Sequence, residues 1–263
     1  MCVGQGRITE TMVTLSFDHN LVTKPTQTYI ISPYSYEVMR PAFTKFNIDT
    51  DTITVLSDQY FEQYYKLGEW AKSNWYKQQA FKLCALDHFD SEYFLIQDCD
   101  IALIKPYNIL VDRKLNFKAE ELWNPHQHLY GDMISEILGI PRTLPVSLVN
   151  EILPYTKEDW QFLKRVLEKQ YKTDFLSAIA SVKPFDDTKW FSEYELLGMF
   201  KMFKDDDLWA HYITASQPPI NTWDDFYNTD WSKQDTCKFH APPLKFMSVD
   251  EGLKVVEHLK NVN

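Results

Sequence analysis

Two aspartates spaced i and i+2 across a turn can direct both carboxylates at one divalent cation. Hard cations such as Mg²⁺ and Mn²⁺ bind carboxylate oxygen and can bridge to substrate phosphates. The sequence holds this spacing three times, at Asp49-Thr50-Asp51, Asp98-Cys99-Asp100 and Asp205-Asp206-Asp207. With 22 aspartates in 263 residues, chance alone supplies about two such matches, so context has to separate them. Asp49 and Asp51 lie in a polar turn before an apolar run, and Asp205 to Asp207 close a helical pattern. Both read as solvated surface. Asp98-Cys99-Asp100 instead interrupts two apolar runs, YFLIQ (Tyr93–Gln97) and IALI (residues 101–104). Charge at such a place is costly unless it is paired or bound to metal, so this turn is the candidate cation site, with a structural turn as the alternative.

The other chemistry-bearing patterns are thinner. His126-Gln127-His128 has metal-like spacing without a supporting carboxylate or cysteine pattern, and reads as a surface loop. Glycine is scarce, 7 in 263, and this excludes several phosphate-binding designs. Gly4-Gln5-Gly6 lacks a third glycine at Thr9 and a preceding strand, no glycine is followed by Lys-Ser or Lys-Thr, and no G-x-S-x-G elbow occurs. Net charge is −10, which argues against a broad basic face for a polyanion. The four cysteines form no C-x-x-C pair, so a reducing cytoplasm is expected. No stretch is apolar enough for a membrane span, and the amino terminus lacks the pattern of a signal peptide. Aromatic residues reach 15%, which suits either stacking on flat ligands or a core rich in large rings.

The elements that must position the turn alternate in type. TYIIS (Thr28–Ser32) and ITVL (residues 53–56) read as strands, with a helix over residues 35–46 interrupted near Pro41. Residues 69–89 carry a partial helical stripe, and YFLIQ reads as a strand buried on both faces. This order predicts an α/β domain with a mainly parallel central sheet flanked by helices, whose ligands bind beyond the carboxyl ends of the strands. Farther along, Thr156 with Asp159, Ser192 with Glu195 and Ser248 with Glu251 look like helix starts with capping boxes. Residues 217–243 read as loops, and the whole chain, 1–263, reads as a single domain.

Two blocks carry a resemblance. Trp75-Tyr76-Lys77-Gln78-Gln79-Ala80-Phe81-Lys82, followed by a strand and Asp98-Cys99-Asp100, resembles the W-Y-x-Q-Q-x-x-K and D-x-D core of a family read as bacterial and phage glycosyltransferases. That family is similar to the nucleotide-sugar-dependent GT-A enzymes. Phe191-Ser192-Glu193-Tyr194-Glu195-Leu196-Leu197-Gly198 resembles its F-S-E-Y-E-x-Y-G element. Leu197 stands where an aromatic is expected, and Cys99 where alanine or serine is commoner. The match covers residues 75–106 and 191–198; elsewhere it rests on element order.

The resemblance implies a Rossmann-like GT-A domain with a nucleotide-sugar-binding half over about residues 25–110 and an acceptor-side half over about 111–263. It implies an enzyme that moves a sugar from a nucleotide donor, a UDP-sugar by preference, to a glycan or small hydroxyl acceptor. Mn²⁺ or Mg²⁺ would sit on Asp100, with Asp98 holding ribose or a metal-bound water. The late His240 of Lys238-Phe239-His240 would be a further ligand, with His211 in reserve, or else only a satisfied polar residue. Tyr34 would stack on the base and Asp58 accept a base N–H, with turn chemistry as the alternative for both, while Lys77 and Gln78 would face the donor or else form a solvated helix face. Glu193 and Glu195 are the acceptor-side carboxylates, and Glu195 alternatively serves only its cap. Two rival functions stand beside this one. The first is a non-catalytic nucleotide- or carbohydrate-binding protein of the same fold. The second is a phage-type enzyme glycosylating hydroxylated bases in DNA, gripped by Arg113, Lys114 and Lys118 or by Lys164, Arg165, Lys169 and Lys172.

Overall fold

The computed structural model describes residues 1–3, 6–67, 73–111, 114–117, 120–121, 127–141, 146–149, 152–182, 191–205, 220–239 and 243–261. In chain order the first elements are α1 (Ile8–Leu15), β1 (Thr28–Ser32), α2 (Tyr36–Lys45), β2 (Ile53–Ser57), α3 (Asp58–Tyr64), α4 (Asn74–His88), β3 (Tyr93–Gln97) and β4 (Ile101–Leu103). The short strands β5 (Leu110–Val111), β6 (Lys114–Leu115) and β7 (Glu120–Glu121) follow, then α5 (Gln127–Leu138), β8 (Val146–Ser147) and β9 (Ile152–Thr156). The chain closes with α6 (Lys157–Tyr171), α7 (Phe175–Val182), α8 (Glu193–Lys204), α9 (Trp223–Asn228), β10 (Thr236–Lys238) and α10 (Val249–Asn261). Two compact units are interleaved along this order: residues 1–59, 97–111 and 215–263 form the first, and residues 60–96 and 112–214 the second.

The first unit grows from β1 and β2, which pair in parallel over their full lengths, Thr28 with Ile53 through Ser32 with Ser57. Residue Cys2 bridges in parallel to Ile31 on one side and to Asp98 on the other, so the first residues of the chain fill a strand position between β1 and the chain leaving β3. The parallel part of the expected sheet is present in β1–β2 and in both Cys2 bridges, and the described strands do not extend it into one continuous central sheet. They are arranged in two-stranded pairs, and β4–β10 and β7–β8 are antiparallel. Periodicity identified the strands but not their partners, because a short apolar run is compatible with either direction.

Met12, Val13, Ile30, Phe43, Cys99, Ala102, Trp231, Cys237, Phe239 and Val255 belong to one buried cluster. Helix α2 runs on through Pro41 instead of breaking there. Pro41 is exposed while Met39 and Phe43 are buried, so the proline stands on the solvent side and the apolar stripe holds the helix together.

In the second unit, α4 begins at Asn74, where the Ser73 hydroxyl accepts from Tyr76 N. Strand β3 is exposed at Tyr93 and becomes buried only at Ile96 and Gln97, so burial on both faces is confined to its carboxyl end. Trp160 meets Phe175 edge-on at 5.1 Å, both buried. Thr156 caps α6, and the buried Asp159 carboxylate receives Lys201 and Lys204, each at 2.6 Å. Burial pushes its pKa up, but the bonds from Lys201, Lys204 and Thr156 outweigh that and hold it below the ordinary aspartate value.

The single glycine of α8 is a packing requirement. A Cβ on Gly198 would lie 2.5 Å from Leu148 Cδ1 and 3.0 Å from its Cβ, and Leu148 is itself 1% exposed. Gly198→Ala is therefore expected to lower stability by about 1–3 kcal/mol despite the better helix propensity of alanine. Urea unfolding with matched m-values would measure it, and a neutral or stabilising result would show that Leu148 can withdraw.

Candidate functional site

The Asp98-Cys99-Asp100 turn is fixed from several directions within the first unit. Thr14 of α1 donates its hydroxyl to Cys99 O at 2.9 Å, Gln97 Nε2 donates to Ile101 O at 3.0 Å, and Phe239 N donates to Asp100 O at 2.8 Å. Cys99 belongs to the buried apolar cluster at 5% exposure, while Asp98 and Asp100 are half-buried. A small apolar side chain is what the central position demands, which explains a cysteine where the resemblance expects alanine or serine.

A second charged group meets the turn. Arg7, the residue that precedes α1, places Nη2 3.3 Å from Asp100 Oδ2, and its Nη1 donates to Glu10 Oε1 at 3.1 Å and to Phe239 O at 3.0 Å. Glu10 is fully buried and also accepts from Phe246 N. The Phe246 ring lies 5.2 Å from the guanidinium and is 60% exposed, on backbone with φ of 62°. Left-handed φ at a large non-glycine residue is uncommon and persists where its surroundings fix it, here the bond to Glu10. One residue before Arg7, Gly6 N donates to the Tyr34 hydroxyl at 2.8 Å. Tyr34 follows β1, where Ser32 Oγ accepts its amide at 3.0 Å.

Tyr34, Gly6, Arg7, Glu10, Asp100 and Phe246 thus form one connected group beyond the carboxyl end of β1 and at the turn after β3. Of the residues singled out in the sequence, it contains Tyr34 and Asp100, with Asp98 on the same turn. Asp58 opens α3 directly after β2, half-buried. Arg7, Glu10 and Phe246 were not legible in advance. Arg7 and Glu10 are an Arg–Glu pair at i and i+3, but Phe246 and Asp100 lie far from them in sequence.

The two sequence blocks of the second unit meet each other. Lys82 of α4 pairs with Glu193 of α8 at 2.6 Å, with side chains 3% and 0% exposed. The Lys82 ammonium also lies 4.4 Å from the Tyr194 ring centroid, and Glu193 N donates to Gln79 Oε1 at 3.5 Å. The Ser192 hydroxyl caps α8 by accepting from Glu195 N, while the Glu195 carboxylate accepts from Leu148 N at 2.8 Å. Both candidate acceptor-side carboxylates are therefore buried and engaged. Lys77 pairs with Glu62 at 2.8 Å, and Gln78 is half-buried one residue on.

Oxygen ligands on one turn suit a hard cation in kind. Among the described residues, however, no group of three or more His, Cys, Asp or Glu converges as a metal centre. His240, His211, His126, Arg113 and Lys118 lie outside the described residues, as does the side chain of His128. Of the second basic cluster, Lys164 is paired with Asp87 at 2.7 Å. Among the described residues, no helix is long and apolar enough to cross a membrane.

The first unit also holds a cavity of about 570 Å³ near the amino ends of β1 and β2, lined by Asp18, His19, Lys24, Asn47, Thr52 and Lys260 among others. Asp18 as a residue is half-exposed, but its Oδ1 is buried without a hydrogen-bond partner. Burial pushes its pKa up to about 7, against the opposing pull of Lys24. A raised carboxyl pKa gives stability that is complete below the unfolded value near 3.8 and is lost as pH rises toward 7. Asp18→Asn is expected to remove that slope, about 1.4 kcal/mol per pH unit at most, and to stabilise the protein at pH 8. Melting curves from pH 4 to 8 would test this, and parallel profiles for the two proteins would refute it.

No curated protein matches the chain in sequence. In structure the chain is similar to the galactosyltransferase LgtC in complex with donor and acceptor sugar analogs, with 10% identity, coverage of 97% of this chain and 94% of that one, and a TM-score of 0.49. The family model described as a family of unknown function, DUF6492, matches residues 24–249. That span takes in both the Asp98–Asp100 turn and the block at residues 191–198, and the chain belongs to this family.

Proposed function

We propose that the protein is a glycosyltransferase that takes a sugar from a nucleotide-sugar donor, with the diphosphate at the Asp98–Asp100 turn. The observation that carries the proposal is the meeting of Asp100, Arg7 and the Gly6–Tyr34 pair at the sheet edge where an α/β domain seats its ligands. A half-buried carboxylate, a guanidinium suited to phosphate oxygens, and two aromatic rings at Tyr34 and Phe246 together suit a diphosphate joined to a flat base. The resemblance of the two sequence blocks to GT-A glycosyltransferases supports the same reading.

In this proposal Asp100 and Asp98 hold Mn²⁺ or Mg²⁺, and His240 joins them. The cation would supply Lewis-acid neutralisation of the departing nucleoside diphosphate. Arg7 binds a phosphate oxygen through its planar fork, and Tyr34 packs on the base. Lys77, Gln78 and Asp58 are proposed as further donor contacts. Glu193 and Glu195, buried against Lys82 and Leu148 N, are proposed to shape the acceptor side by fixing α8, not to exchange protons with bulk water. UDP-sugars are the donors to test first, with a glycan or small hydroxyl compound as acceptor. Incubation of the full chain with a panel of nucleotide sugars and Mn²⁺ should release nucleoside diphosphate from at least one donor, by slow hydrolysis where no acceptor is present. Release from none, with or without metal and across acceptors, would defeat the proposal.

A further inference from the structure

Asp100, the residue expected to bind the cation, is already engaged by another cation. Arg7 Nη2 sits 3.3 Å from its Oδ2, and both side chains are 13% exposed. The guanidinium is asymmetrically held. Nη1 is fixed twice, by the fully buried Glu10 and by Phe239 O, both on the first unit. The Nη2 contact with Asp100 is the longer one, at 3.3 Å against 3.1 and 3.0 Å. A small rotation about the Nη1 anchor would redirect Nη2 without giving up Glu10. A divalent cation on Asp100 would lie within several ångströms of this positive charge, and like charges at that range repel unless an anion lies between them.

We propose that Arg7 gates the cation site: it neutralises Asp100 in the absence of donor and turns to the donor diphosphate when nucleotide and cation bind together. This rests on the cation and donor reading above; the Arg7–Asp100 contact itself does not. The gate makes cation binding weak alone and strong with nucleotide, a coupling that must be reciprocal.

The test measures Mn²⁺ affinity of the full chain, by the electron paramagnetic resonance signal of free Mn²⁺, with and without UDP. Removing the guanidinium in Arg7→Met is expected to tighten Mn²⁺ binding at least about tenfold without nucleotide. Adding UDP should tighten Mn²⁺ binding more in the wild type than in the variant. Because Arg7→Met leaves Glu10 buried without its guanidinium, the pair Arg7→Gln with Glu10→Gln serves as a second variant, with the same tightening expected. Measurable but equal Mn²⁺ affinities in the wild type and both variants overturn the gate alone, whereas no binding by any of them, with or without UDP, overturns the cation reading and the gate with it. Tightening in the variants with no effect of UDP on the wild type would support the competition at Asp100 and count against the donor reading instead.

Discussion

Asp100→Asn is expected to cut metal-dependent release of nucleoside diphosphate from the best donor by at least about a hundredfold, while leaving the fold intact. The size follows from electrostatics: a preorganised charge at the departing group is the largest single contribution in this kind of chemistry, and losing one such contact costs about two to three orders of magnitude. The fold should survive because the turn is held by Thr14, Gln97 and Phe239 through backbone carbonyls that the substitution does not touch. Asparagine also keeps the shape of the side chain, and Arg7 keeps Glu10 and Phe239 O as partners. Steady-state release assays with Mn²⁺, alongside a melting curve for each protein, would check both halves. Full activity in the variant would move the chemistry away from this turn.

The second large effect is expected in stability. Lys82→Met should destabilise the protein by about 3–5 kcal/mol, because it takes the 2.6 Å ammonium partner away from a Glu193 carboxylate that is 0% exposed. Changing both partners, Lys82→Met with Glu193→Met, should cost markedly less than the sum of the single changes, since both charges of the buried pair then leave together. Urea unfolding of the four proteins gives the coupling energy directly. An additive cycle would mean that the pair contributes little and that the burial of Glu193 serves something other than its partner.

This pair also shows what the sequence made legible. Strands β1 and β3 were readable from apolar runs ending at Ser32 and Gln97, and the caps at Thr156, Ser192 and Ser248 from local chemistry, because both depend on residues within one or two turns of each other. Lys82 and Glu193 were each visible as members of a block, yet their meeting was not, since nothing in the composition of either block names a partner more than a hundred residues away. The same limit hid Arg7. It stands at the start of a short helix with no stripe to mark it, and only the placement of α1 against Cys99 brings it to Asp100. Sheet order was illegible for a related reason. Residue Cys2 fills a strand position with a single bridge to each neighbour, too short a segment for periodicity to register.

Aromatic abundance resolved mostly toward the core. Trp160, Trp231, Tyr155, Tyr194, Phe191 and Phe226 are almost completely buried. Phe246 is the informative exception, since it is exposed, conformationally uncommon and in contact with the Arg7 cluster. Exposure of a large ring matters when its backbone is also fixed in place, because a fixed ring loses little freedom on stacking against a ligand.

The account stands or falls on where a nucleotide sugar binds. Crystals of the full chain soaked with a mixture of nucleotide sugars and Mn²⁺ should show a diphosphate at the Asp98–Asp100 turn, with an anomalous manganese peak against Asp100. Arg7 should have turned from Asp100 to a phosphate oxygen, and the base should lie by Tyr34. A nucleotide bound elsewhere, or manganese absent from Asp100 while a nucleotide occupies the turn with Arg7 still on its carboxylate, would contradict it.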